Sequence, residues 1–179
     1  ALAEAQSQID EIAGDVAAIP PGLSLLVDDD TNTGNLTNTT VATAKTISVS
    51  IPLAVPFRVM TAYQFTGGSS AILSLGYQLN SDKIGPDNGW DVTPATNGFG
   101  NGALILDVFP STVSTQQRSA LITNGFHGNS QDQADLFSSS NNFLPTGTIT
   151  SIIVYGLTSN GSISYQIKRV MVWAWPIST

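Results

Sequence analysis

The chain has 179 residues, 13 of them acidic and 6 basic, for a net charge of −7, a single histidine and no cysteine. That balance excludes a nucleic-acid binder, which needs clustered Lys and Arg to neutralise phosphate; the missing thiols exclude a disulfide scaffold and any thiolate metal site or nucleophile; and no apolar run approaches the ~20 residues of a membrane-spanning helix. Charged residues are only 11% of the chain, against roughly 25% in average soluble domains, and Ser, Thr, Asn and Gln supply about a third of it, so the polar surface is mostly neutral hydrogen-bonding groups.

Residues 1–19 carry two interleaved apolar rows, Leu2, Ile9, Val16 and Ala5, Ile12, Ile19, at the a and d positions of a heptad. Pro20, Pro21 and Gly22 end that pattern, because proline lacks the N–H donor a helix requires. A lone helix of this length is marginal in water. Its stripe needs a partner, and the β-branched residues at d predict a parallel trimeric coiled coil rather than a dimer. An amphipathic helix lying on its own domain is the alternative. The segment holds four acids and no base, so shape rather than charge pairing must select the partner. With no initiator Met and no positively charged leader, the chain reads as a fragment or processed product of something longer.

Residues 20–46 read as a linker and a Thr/Asn-rich lead-in. Within them Asp28, Asp30 and Asn32 alternate as the oxygen ligands of a Ca²⁺ loop do. The glycine falls one place too late for such a loop and no bidentate Glu follows, so an acidic turn is expected. Ca²⁺ is the one cofactor the sequence offers, on weak grounds.

From residue 47 to 179 the apolar period becomes two. Ile47, Val49 and Ile51 alternate with serines, Phe57 to Phe65 continue on one face, and Leu73, Leu75, Tyr77 and Leu79 return after Gly67-Gly68, predicting a hairpin. Residues 80–102 and 124–142 read as long polar loops around the apolar runs 104–109 and 120–123. Thr150–Leu157 and Ser162–Trp175, flanking Ser159-Asn160-Gly161, predict a closing hairpin. Trp173 and Trp175 share one face as core or subunit contacts. Many short strands with no second helical pattern predict a mainly β chain, an antiparallel, jelly-roll-like β-sandwich behind the coiled-coil helix.

Catalytic sets fail on inventory. His127 sits in an Asn/Gly loop with no nucleophile elbow in the chain, and both glutamates lie in the N-terminal segment, so no enzyme is expected. The positive signal is a chemistry for neutral hydroxylated ligands, which pairs amide or carboxylate groups with an aromatic platform. Asp87, Asn88, Trp90 and Asp91 combine these in one glycine-punctuated stretch, and Asn97, Asn101, His127 and Asn129 repeat the pattern more weakly.

Together the short coiled coil, the Pro-Pro-Gly break, the cysteine-free Thr/Asn-rich β-domain and the strand Gly147-Thr148-Ile149-Thr150-Ser151-Ile152-Ile153-Val154-Tyr155-Gly156-Leu157 resemble a bacteriophage tail fibre or tailspike. The resemblance implies a homotrimeric, virion-borne, extracellular receptor-binding head that attaches to host cell-surface polysaccharide, with no membrane insertion. It carries no site residues across, because the strand motif is structural. A capsid head-fibre, decoration or trimerisation-cap role is the first alternative, and a glycan depolymerase or esterase the second.

Overall fold

A computed structural model describes residues 22–67, 73–84, 90–92, 98–109, 118–128, 132–143, 147–158 and 163–175. The heptad segment 1–19 and candidates Asp87, Asn88, Asn97 and Asn129 lie outside them. The described residues are mainly β and contain no helix. Eleven strands run in chain order: β1 (Ser24–Asp29), β2 (Ala42–Ile51), β3 (Phe57–Gly67), β4 (Leu73–Leu79), β5 (Asp82–Ile84), β6 (Trp90–Val92), β7 (Gly98–Phe109), β8 (Arg118–Gly128), β9 (Asp132–Phe143), β10 (Ile149–Thr158) and β11 (Ile163–Ala174).

They form two antiparallel sheets. One has the order β1-β11-β3-β7-β8-β9; the other has β2-β10-β4-β5, with β6 also paired to β4. The pairs nest as β1 with β11, β2 with β10, β3 with β7, and β4 with β5 and β6. That is the order of a long hairpin rolled into two layers, the jelly-roll pattern. The hairpin β8–β9 is inserted between the sixth and seventh steps and widens the first sheet.

Alternation decides which residues face inward. Phe57, Val59, Tyr63 and Phe65 of β3, Leu73 to Leu79 at odd positions of β4, and Val170 and Val172 of β11 are buried in a single core contributed by both sheets. Tyr77 crosses that core from the second sheet. Its hydroxyl lies 2.8 Å from the Leu104 carbonyl, to which it donates, and 2.8 Å from Thr61 Oγ1. Burial pushes the phenol well above the ordinary tyrosine range, so it stays a neutral donor. Tyr165 of β11 reaches the other way, over Gly156 of β10, and accepts a 2.9 Å hydrogen bond from Asn38 Nδ2. A Cβ at position 156 would stand 2.1 Å from the Tyr165 hydroxyl, so the Tyr-Gly step of the motif strand leaves room for a ring from the facing sheet.

Both predicted hairpins are corrected. β3 and β4 lie in different sheets, as do β10 and β11. Period two reports the face a residue occupies, and two strands that close the core from opposite layers alternate just as two paired strands do. The supposed linker contains β1 and the start of β2, which the unpatterned Leu-Ser-Leu-Leu-Val run hides. The two supposed polar loops hold β5, β6 and most of β8–β9. Polar outer strands lack a clean alternation, since few of their positions face a core.

Candidate binding surface at the distal end

The molecule has two ends along its strands. At the proximal end Gly22 leads into β1, with Ser24 opposite Ala174 and Phe57 opposite Val108. At the distal end β3 finishes at Gly67 opposite Gly98 and Ile163, β8 finishes at Gly128 opposite Gly100, and β10 finishes at Thr158 opposite Leu73.

Directly opposed residues of an antiparallel ladder share a face, so the registers define rows across the outer side of the six-stranded sheet. Near the distal end one row runs Gln166, Gln64, Asn101, through β11, β3 and β7 in succession, and the register continues through positions 127 of β8 and 132 of β9. Asn101 is exposed, and Gln64 and Gln166 are half-buried. Gln166 is held by residues of the β1–β2 connection: its Oε1 accepts from Asn32 Nδ2 at 3.1 Å and its Nε2 donates to Asn35 Oδ1. Lys168 Nζ also donates to Gln166 Oε1. The row is thus extended sideways by two asparagines fixed in a turn, where Asn32 Oδ1 accepts from the Gly34 amide at 3.1 Å.

The candidates picked out in the sequence fall into two groups. Asn101 and His127 stand opposite each other on neighbouring strands. Trp90 and Asp91 belong to β6 of the other sheet, in register with Leu75 and Ser74. The register puts position 90 in the row of core-facing Leu75. The fold does not unite these groups into one face. Asn97 precedes the first residue of β7 and Asn129 follows the last of β8. Gln64, Gln166 and Asn35 lie outside the stretches whose composition points to sugar binding, and Asn32 stands in the sequence only as a Ca²⁺ ligand candidate. The orientation of Gln64 is legible: it is the off-beat residue between buried Tyr63 and Phe65, and so faces outward.

The acidic stretch is engaged by cations of the chain itself. Asp28 takes a two-pronged bond from Arg169, Nε to Oδ1 and Nη2 to Oδ2, each at 2.6 Å. Asp29 Oδ1 accepts from Lys45 Nζ at 2.8 Å and from the Thr31 amide at 2.9 Å. These bonds hold both carboxyls below the ordinary aspartate range. Among the described residues no three His, Cys, Asp or Glu side chains cluster in a way that could hold a metal, and Asn32 of the Ca²⁺ candidates is bound to Gln166 and Gly34.

No protein-family model matches the sequence, and no curated protein matches it. Among solved structures, 87% of the chain aligns with a chain of the T13 infectious bursal disease virus particle at 11% identity and a TM-score of 0.45, covering 32% of that chain. Peanut lectin, solved with a nine-residue peptide, aligns over 90% of this chain and 95% of its own at 11% identity and a TM-score of 0.37. A chain of the Gx strain of infectious bursal disease virus aligns at 12% identity and the same TM-score, covering 33% of its length. This chain thus spans about a third of the virus chains it matches. At these TM-scores neither likeness carries a functional argument.

Proposed function

We propose that this chain is an attachment module of a virion appendage, a jelly-roll head carried on a trimeric heptad segment, which binds neutral sugars of a bacterial surface at its distal end. The reading follows the tail-fibre resemblance of the sequence and rests on one observation, the neutral polar row on the outer side of the six-stranded sheet. A sugar hydroxyl both donates and accepts, and a carboxamide offers both functions without the desolvation penalty of an ion. Two strand spacings make the row of carboxamides roughly 10 Å long, room for about two linked sugar units. The module acts by binding alone, without catalysis.

The test is adsorption of the 179-residue chain to whole cells and to a panel of surface polysaccharides. Gln64→Ala with Asn101→Ala removes the middle of the row from outward-facing positions, and is expected to weaken adsorption about tenfold, near 1.4 kcal/mol, with an unchanged thermal melt. Undiminished adsorption by the double variant would sink the assignment. Release of reducing ends from any of the polysaccharides would return the depolymerase reading. A purely structural cap is supported by a separate observation, the apolar proximal end.

A further inference from the structure

The outer side of the six-stranded sheet is divided into zones along the strands. Distal of a band of small residues, Ala62, Ala103 and Gly125, it carries the polar row; proximal of that band its rows are Met171, Met60, Ile105 and then Trp173, Arg58, Asp107, Leu121. Leu23, Arg58, Met60, Ile105 and Trp173 line a groove of about 220 Å³ there. Five of the six exposed large apolar residues among those described, Leu23, Leu25, Leu26, Leu53 and Phe109, lie at this end; Val41 is the sixth. Monomers rarely expose apolar patches this concentrated without a partner.

Two features indicate the occupant. The charges within the patch are already satisfied: Arg58 Nε and Nη2 reach the two Asp107 carboxylate oxygens at 2.6 and 2.9 Å. The face therefore asks for no charged ligand or oppositely charged protein. Leu23, a wall of the groove, lies four residues beyond Ile19, the end of the heptad rows. Any association of segments 1–19 delivers the grooves of different copies to one another at high effective concentration. We propose that this proximal face is a contact surface between copies of the chain, with Met60, Ile105 and Trp173 at its centre, so that assembly is carried by the β-domain as well as by the heptads. This inference uses the heptad segment of the proposed function and is independent of the sugar ligand.

Sedimentation of the full chain tests it, comparing the wild type with Met60→Lys/Ile105→Lys and with the heptad variant Ile9→Asp/Ile12→Asp. Each double substitution is expected to raise the dissociation concentration about tenfold or more, with far-UV circular dichroism unchanged. A wild type that is monomeric at micromolar concentration overturns the proposal. So does a Met60→Lys/Ile105→Lys variant that assembles like the wild type, even if the heptad variant dissociates. Because the chain has no cysteine, Ile105→Cys supplies a readout that does not depend on the lysines folding. Its maleimide labelling should be at least about tenfold slower in the assembled chain than in the heptad-variant background; equal rates in the two backgrounds overturn the proposal. Loss of sugar binding with assembly intact bears on the distal row alone.

Discussion

Asn80 joins backbone conformation to side-chain chemistry at one position. It turns the chain from β4 to β5 with φ of 54°, a left-handed conformation that asparagine tolerates better than alanine. Its Oδ1 accepts from the Thr150 amide at 2.9 Å, the Thr150 hydroxyl at 3.2 Å and the Ser151 amide at 3.2 Å, while Nδ2 donates to the Thr148 carbonyl at 3.1 Å. One side chain thereby fixes the start of β10. Asn80→Ala should lower unfolding stability by about 1–3 kcal/mol, and Asn80→Gly by less, since glycine keeps the backbone conformation and loses only the bonds. Urea unfolding measures both, and equal losses would remove the conformational part of the argument. A lone asparagine ahead of Ser-Asp reads as a turn residue in sequence, but its partners lie some seventy positions later and no local pattern discloses them.

The strand β1 is tied down by charge at two consecutive residues. Five of its six residues pair with β11, around a bulge at Leu26, and its outer edge has no strand beyond it in the sheet order. Asp28 and Asp29 are held below the usual aspartate range, chiefly by the hydrogen bonds from Arg169 and Lys45. Depressed carboxyls favour the folded state, so their contribution is complete above the ordinary aspartate pKa of about 3.9 and is lost as pH falls through the depressed values. Amide exchange should show β1 losing protection below about pH 4, before β3 and β7; simultaneous loss in all strands would contradict this.

The same element shows what was legible. The inward residues of β3 and, at its odd positions, of β4 follow from period two, and with them much of the core, whereas β10 and β11 depart from it at bulges and at Tyr155-Gly156. β1 and β9 were not legible as strands, because an edge strand answers to one neighbour and its residues need not alternate. Pairing was not legible either, since face and partner are separate properties. Of the candidate site, Asn101 is legible from its flanking glycines, while Gln64 and Gln166 sit inside strands, each between two buried apolar residues, and carry no local binding signal.

For the whole molecule, the charge distribution sets how binding should respond to salt. All six basic residues follow residue 22, four of the thirteen acids precede it, and Arg58, Arg169 and Lys45 are paired with Asp107, Asp28 and Asp29. Adsorption through a neutral amide row should therefore change by less than about threefold between low and high salt, where exposed charges are screened within roughly 10 Å. A steep salt dependence, of the kind that costs phosphate-binding proteins about 10³–10⁵ in affinity, would point to an anionic polymer and away from the neutral row.

The nested pairing also sets an order of events during synthesis. β10 lies between β2 and β4, and β11 between β1 and β3, so the last strands made are interior members of their sheets. Until they emerge, β1 and β2 have no neighbour to join, and the apolar sides of β3 and β4 stay open. Closure joins residues almost a chain length apart, the slow class of folding events in which exposed strands aggregate. A nascent chain that stalls before β10 is therefore left without the middle of either layer, and its early strands become sites for mispairing with other chains.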